Sequence, residues 1–149
     1  MKICLTASSG GHFNQIIKLL PILNKHEIFF ITPATHMKRL LKKYKTYFVS
    51  NPVRNPFKFV IHSFVSLSIL LKERPNVVIS TGAGLTVPVC FLAKFLLRSK
   101  IIFIESFSRI DSPSLTGKMV FPISDVFIVQ WKRLLKFYGK KAIYGGSLL

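Results

Sequence analysis

Short apolar runs alternate along this chain with longer segments whose apolar residues recur every three or four positions. The short runs predict strands at 2–7, 27–32, 46–49, 77–80, 100–104 and 126–130, with a seventh short strand at 142–144. The longer segments predict helices from just after Gly11 toward Leu23, and over 34–43, 56–72, 85–97 and 114–121. Asn55 reads as an N-cap ahead of Pro56 at the first helical position, and Ser114 reads as a second cap. Such alternation folds as a parallel sheet with helices on both faces and right-handed crossovers. The expected fold is α/β, a single Rossmann-like domain over 1–149, without repeats, low-complexity tracts or a linker.

Composition sharpens this picture. Half of the 149 residues are apolar, which excludes a disordered basic tail. Lys and Arg number 22 against 5 acidic residues, a formal net charge of +17. That imbalance calls for an anionic partner: nucleic acid, an acidic membrane surface or a phosphorylated substrate. No RNA-binding signature is present, and the cations lie beside aliphatic and aromatic helix surface, so nucleic acid is not expected. Cys4 and Cys90 read as buried small hydrophobes; no disulfide framework or zinc spacing is visible. The amino terminus runs straight into a strand, so no signal peptide is expected. The longest apolar stretch, 57–71, is broken by Lys58, His62 and three serines. It falls short of the ~20 residues that span a bilayer, so no transmembrane helix is expected.

The chemistry gathers at two glycine turns, Ser8-Ser9-Gly10-Gly11-His12 and Thr81-Gly82-Ala83-Gly84. Each follows a strand and opens a helix, where backbone N–H groups approach an anionic ligand at the carboxyl edge of a sheet. The first is not a dinucleotide fingerprint, because the second strand ends Ile31-Thr32-Pro33 without a ribose-binding carboxylate. The Walker lysine pattern is also missing, and Ser8–His12 could equally be a tight turn that binds nothing. His12 opens the first helix, where partial positive charge favours the neutral imidazole that a general base requires. A capping or ligand-orienting role is the alternative. Glu105, at the end of the fifth strand, is a second candidate base, unless it only pairs with Arg109. Asp111 and Asp125 are weaker, the latter expected at the opposite edge. His26, His36 and His62 are expected on the surface or at an interface. No G-x-S-x-G or serine triad context supports nucleophilic hydrolysis.

The helix over 56–72 is apolar on more than one face, through Phe57, Phe59, Val60, Ile61, Phe64, Val65, Leu67 and others. Part must pack on the sheet. The rest, ringed by Lys38, Arg39, Lys42, Lys43, Lys45, Arg54 and Lys58, has the pattern of a surface lying on an anionic bilayer. The tail Gly145-Gly146-Ser147-Leu148-Leu149 is either a frayed end or a docking segment for a partner.

With these residues in view, the chain resembles a known family: the subunits that anchor the eukaryotic asparagine-linked N-acetylglucosaminyltransferase, with their bacterial polysaccharide-biosynthesis relatives. The resemblance rests on Ser8–His12, on Ser80–Gly84 with Val87-Pro88, and on Ile104-Glu105-Ser106 with Arg109. It continues through Pro113–Lys118, Asp125 with Phe127–Trp131, and Tyr144-Gly145-Gly146. It implies the N-terminal half of a GT-B glycosyltransferase carried as its own polypeptide at the cytoplasmic membrane face. Such a subunit presents a polyprenyl-diphosphate-linked sugar acceptor, while a UDP-sugar-binding catalytic subunit completes a heterodimer. The eukaryotic subunit begins with a membrane-spanning segment, which is not seen here, so attachment is expected through the basic apolar surface or the partner.

The resulting expectation is half of a two-chain inverting glycosyltransferase for capsule or exopolysaccharide, active only as a complex. His12 is the first candidate base and Glu105 the second. The backbone of Ser8, Ser9, Gly10, Gly11, Thr81, Gly82, Ala83 and Gly84, with Arg109, is expected to hold the acceptor. Lys38, Arg39, Lys42, Lys43, Phe57, Lys58 and Phe64 are expected to meet the membrane, and Gly145, Gly146, Leu148 and Leu149 the partner. No residue cluster calls for a metal or cofactor. The alternatives are a non-catalytic membrane scaffold for the partner and a stand-alone sugar- or nucleotide-binding enzyme.

Overall fold

A computed structural model of the chain describes residues 1–33, 38–51 and 55–148, apart from the side chains of Lys38 and Leu40. His36, Arg54, Leu149 and the Lys38 side chain, all assigned roles above, therefore lie outside the described residues. The strands are β1 (Lys2–Thr6), β2 (Glu27–Thr32), β3 (Lys45–Phe48), β4 (Val77–Ser80), β5 (Lys100–Ile104), β6 (Val126–Val129) and β7 (Ala142–Tyr144). The helices are α1 (Gly11–Ile17), α2 (Lys38–Leu41), α3 (Pro56–Glu73), α4 (Thr86–Leu97), α5 (Leu115–Val120) and α6 (Leu135–Tyr138). All strand pairs are parallel, in the order β3-β2-β1-β4-β5-β6-β7. This is the Rossmann-like arrangement expected.

Two local differences have physical causes. The first helix ends at Ile17 and the chain tightens into a 3-10 turn over Leu20–Leu23. Pro21 lacks an N–H, and its ring would collide with the carbonyl of Ile17 in a continuing α-helix. The short turn over Lys132–Leu134 and α6 carry no amphipathic period long enough to announce them. Both expected caps form: Asn55 accepts from the Lys58 N–H, and Ser114 from the Gly117 N–H.

Period-2 alternation sorts strand residues between the faces. Ile3, Leu5 and Phe30 pack with Phe13 and Ile16 of α1 on one side. Cys4, Phe29, Ile31, Val78 and Phe103 pack with α3 and α4 residues on the other. Both cysteines are buried, and burial pushes the Cys90 thiol up to about 12.

Helix α3 departs most from a simple pattern. Its packed stripe is His62, Ser66, Ile69, Leu70 and Glu73, three of them polar, while Phe57, Val60, Ile61, Phe64 and Val65 are exposed. His62 is thus not a surface histidine: it is 1% exposed, and its Nε2–H donates to the Leu85 carbonyl at 2.7 Å. Burial lowers its pKa below the ordinary histidine value, partly opposed by that hydrogen bond. Glu73 is likewise buried and joins three elements, binding Lys2 Nζ of β1 and both Lys45 Nζ and the Tyr47 hydroxyl of β3.

Burial pushes the Glu73 carboxyl up, but hydrogen bonds from Lys45, Tyr47 and Lys2 outweigh it and hold its pKa at about 2. Because the folded value lies below the unfolded one, this stabilisation is complete above the ordinary carboxylate range and is lost as pH falls toward about 2. Thermal melts across this range will show a steep acid loss in the native protein and a shallower one in Glu73→Gln. At neutral pH that variant will melt several degrees lower, since unsatisfied buried partners cost ~1–3 kcal/mol.

Candidate functional site at the switch point of the sheet

The sheet reverses its order of growth between β1 and β4. From β1 the chain proceeds to β2 with α1 on one face, and from β4 to β5 with α4 on the other. The two strands are neighbours, with Thr6 opposite Ser80, so their carboxyl-end turns lie side by side. Helices that depart to opposite faces leave a crevice there, the usual ligand position in an open parallel sheet.

Two hydrogen bonds fasten the turns together. The His12 Nδ1–H donates to the Thr81 carbonyl at 2.7 Å, and the Thr81 hydroxyl donates to the His12 carbonyl at 2.7 Å. A carbonyl can only accept, so in the neutral ring this contact places the proton on Nδ1 and the lone pair on Nε2. Gly82 lies under the imidazole at φ 105°, where a Cβ would stand 3.2 Å from both Cε1 and Nδ1 of the ring. The next residue, Ala83, also has a positive φ of 84°, a strained conformation of the kind concentrated at ligand sites. Its carbonyl accepts from both the N–H and the hydroxyl of Thr86, which holds the turn.

The surface offered by this arrangement is mostly backbone. Ser9, Gly10, Gly11, Gly84 and Arg109 are exposed, Ser8, His12 and Ala83 are half-buried, and Thr81 and Gly82 are buried. No side chain caps the start of α1. The arrangement can therefore offer N–H donors and one oriented imidazole lone pair to a polar anionic ligand.

Glu105 belongs to the same sheet edge but is built differently. It is fully buried, and its carboxylate receives the Ser106 N–H, the Ser114 N–H and the Tyr138 hydroxyl. Among the described ion pairs none joins it to Arg109. Burial and the Glu105 carboxylate push the Tyr138 phenol well above its ordinary range, so the phenol keeps its proton and donates. Gly117 completes this cluster, since a Cβ there would strike Glu105 Oε2 and the Tyr138 oxygen. With no exposed surface and three donors, this carboxylate ties the loop after β5 to the Ser114 turn and to Tyr138. Asp125 does lie at the opposite edge, accepting from Lys94 and the Ile101 N–H, and Asp111 pairs with Arg133.

Two residues outside the expected set connect these groups. Gln15 of α1 donates through Nε2 to the Gly11 carbonyl and accepts the Phe107 N–H at 3.0 Å. Gln130, just after β6, donates through Nε2 to Gln15 Oε1 at 2.6 Å and to the Glu105 carbonyl. Both are nearly fully buried. The signal was a glutamine between Phe13 and Ile16 on the apolar stripe of a helix, and another at the carboxyl end of an apolar strand. The tail is not frayed through Leu148: its N–H donates to Gln130 Oε1, and its side chain packs on the α1-side core.

The expected membrane residues are exposed where described: Arg39, Lys42, Lys43, Phe57 (81%), Lys58 and Phe64 (67%). Among the described residues no helix is long and apolar enough to cross a membrane.

This switch-point site on a seven-stranded parallel sheet defines a Rossmann-like domain of the type that forms the N-terminal half of GT-B glycosyltransferases. The crystal structure of MurG from Acinetobacter baumannii shares the fold with a TM-score of 0.79 at 17% identity, covering 99% of this chain and 45% of that one. The chain belongs to the Alg14 family: the profile described as "Oligosaccharide biosynthesis protein Alg14 like" matches residues 36–148. The UDP-N-acetylglucosamine transferase subunit ALG14 of Debaryomyces hansenii is 31% identical over 177 aligned positions, covering 99% of this chain and 76% of the relative. The subunit of the same name from Candida albicans is 45% identical over 91 positions, covering 57% of this chain and 42% of that relative.

Gly82→Ala should disrupt this site from both directions, by backbone strain at φ 105° and by pushing the His12 ring from the Thr81 carbonyl. A loss of ~1–3 kcal/mol in denaturant unfolding is expected, with a shift of the His12 ring resonances in the folded fraction.

Proposed function

We propose that this chain is the acceptor-presenting, membrane-recruiting half of a two-chain inverting UDP-N-acetylglucosamine transferase. The observation that carries the reading is the imidazole of His12, oriented by Thr81 at the switch point with its Nε2 lone pair free to accept a proton. The family membership and the transferase-subunit names of the relatives support it. In such transfer an acceptor hydroxyl attacks the anomeric carbon of the donor sugar, the bond to UDP breaks, and configuration inverts. His12 Nε2 takes the hydroxyl proton as that bond forms. The partner chain holds the UDP-sugar and closes the crevice from the other side. Exposed backbone of Ser9–Gly11 and Ala83–Gly84, with Arg109, meets the diphosphate of a polyprenyl-linked acceptor. Glu105 keeps the loop after β5 in position and does not serve as the base.

The relatives' names favour N-acetylglucosamine as the transferred sugar and a lipid-linked oligosaccharide as the product. The capsule or exopolysaccharide setting expected from sequence finds no support in them. The outward apolar face of α3 and the exposed cations favour peripheral attachment to an anionic membrane at its cytoplasmic face.

Assay of this chain, its UDP-sugar-binding partner and both together on membranes tests the reading: transfer into lipid requires both. Transfer by the partner alone in detergent would reduce this chain to a scaffold, and transfer by this chain alone would make it a complete enzyme. In the complex, His12→Ala should lower kcat by about 10²- to 10⁴-fold without releasing either chain from membranes.

Attachment is separable from turnover. Replacing Phe57 and Phe64 by serine should abolish co-sedimentation with vesicles containing anionic phospholipid and leave the melting temperature unchanged, since both side chains are exposed. Binding of the native chain should weaken as salt rises, because each surface cation contributes ~1 kcal/mol that salt screens. Undiminished binding of the double variant would remove α3 from the membrane surface.

A further inference from the structure

The buried glutamine pair has no part in the reaction just described, yet it joins two places with distinct roles. One end is the carboxyl-terminal tail, through Leu148 N–H on Gln130 Oε1 at 2.8 Å. The other is the turn that carries His12, through Gln15 Nε2–H on the Gly11 carbonyl at 3.1 Å. Between them, the Gln130 Nε2 group donates to Gln15 Oε1 at 2.6 Å. The same Gln130 amide group reaches the Glu105 carbonyl, and Gln15 Oε1 also receives the Phe107 N–H, so the loop after β5 is held by the same pair. Both side chains are about 2–3% exposed, so no water competes for these bonds. An amide whose oxygen faces the tail and whose nitrogen faces α1 cannot rotate without breaking bonds at both ends.

We propose that Gln130 and Gln15 are positioning residues that couple the carboxyl-terminal tail to the turn bearing His12. The tail is mechanically part of the site: whatever holds or withdraws Leu148 sets the donor geometry of Gln130, and through Gln15 the carbonyl of Gly11 and the first turn of α1. The coupling itself stands on this chain alone. Its use in assembly rests on the two-chain reading above, in which a partner that captures the tail sets the site into its working geometry.

The test uses the full chain in detergent micelles with labelled glycine and histidine, read by NMR. Removing Ser147–Leu149 is expected to shift the Gly10 and Gly11 amide signals and the His12 ring signals. In Gln130→Met, which keeps the side-chain length and removes all three hydrogen bonds of the amide, the same truncation should leave those signals where that variant already has them. Gln15→Met should likewise uncouple the tail. Gln15→Glu should also uncouple the tail, because its carboxylate still accepts from Gln130 Nε2 and Phe107 N–H but cannot donate to the Gly11 carbonyl. Signals at Gly10–His12 that ignore truncation in the native chain would overturn the proposal. So would an equal shift in Gln130→Met, which would trace the effect to Leu148 packing. In the assembled enzyme, Gln130→Met is expected to lower kcat by about tenfold or more, with partner affinity and the KM for the acceptor nearly unchanged. If the partner chain gives no activity with native protein, the two-chain reading fails while the resonance result still decides the coupling.

Discussion

The paired 2.7 Å hydrogen bonds between His12 and Thr81 are the constraint on which the rest of the site depends. Two turns from different strands, 69 residues apart in sequence, become one surface because each donates to the other's backbone. The bonds also select the imidazole tautomer, since a backbone carbonyl can satisfy only an N–H. Glycine at position 82 follows from the same contact, because the ring occupies the space a side chain would need. Backbone strain at Ala83 is tolerated next to this clamp because Thr86 holds the following carbonyl twice.

Elsewhere at the strand ends, buried Glu105, Gln15, Gln130 and Glu73 are each paired with polar partners. Glu105 with Tyr138 and the Ser114 turn, Gln15 with Gln130, and Glu73 with Lys2, Lys45 and Tyr47 each tie together elements that adjoin the sheet. Such networks hold one arrangement firmly, because any slip leaves an unpaired group away from water. They sit at the two ends of the strands, where loops carry function, and the apolar core fills the middle.

Helix α3 shows the opposite economy. Three of the five side chains it packs inward are polar, while Phe57, Val60, Ile61, Phe64 and Val65 face outward. His62 binds the Leu85 carbonyl beside the second glycine turn and Glu73 binds the β1 and β3 lysines, so specific bonds anchor the helix alongside the packed Ile69 and Leu70. Its three phenylalanines and several of its branched aliphatics form an outward apolar face.

The sequence by itself determined the strand–helix alternation, the seven strands, the two glycine turns at carboxyl ends and the caps at Asn55 and Ser114. These are local effects of periodicity, turn chemistry and cap hydrogen bonds, acting within a few residues. It also exposed His12 as the residue to watch and the apolar excess of the third helix. Only the tertiary structure decided what Glu105 does, since carboxyl burial and its three donors come from segments up to 33 residues away. His62 moved from surface to core for the same reason: which face of a doubly apolar helix turns inward depends on the acceptor that Leu85 offers across the packing interface. Gln15 and Gln130 gained their meaning only when two residues separated by 115 positions met at a distance of 2.6 Å. Local rules set the elements because their energies are settled within one turn or one strand. The site required the fold, because the hydrogen bonds that join its two turns cross between elements.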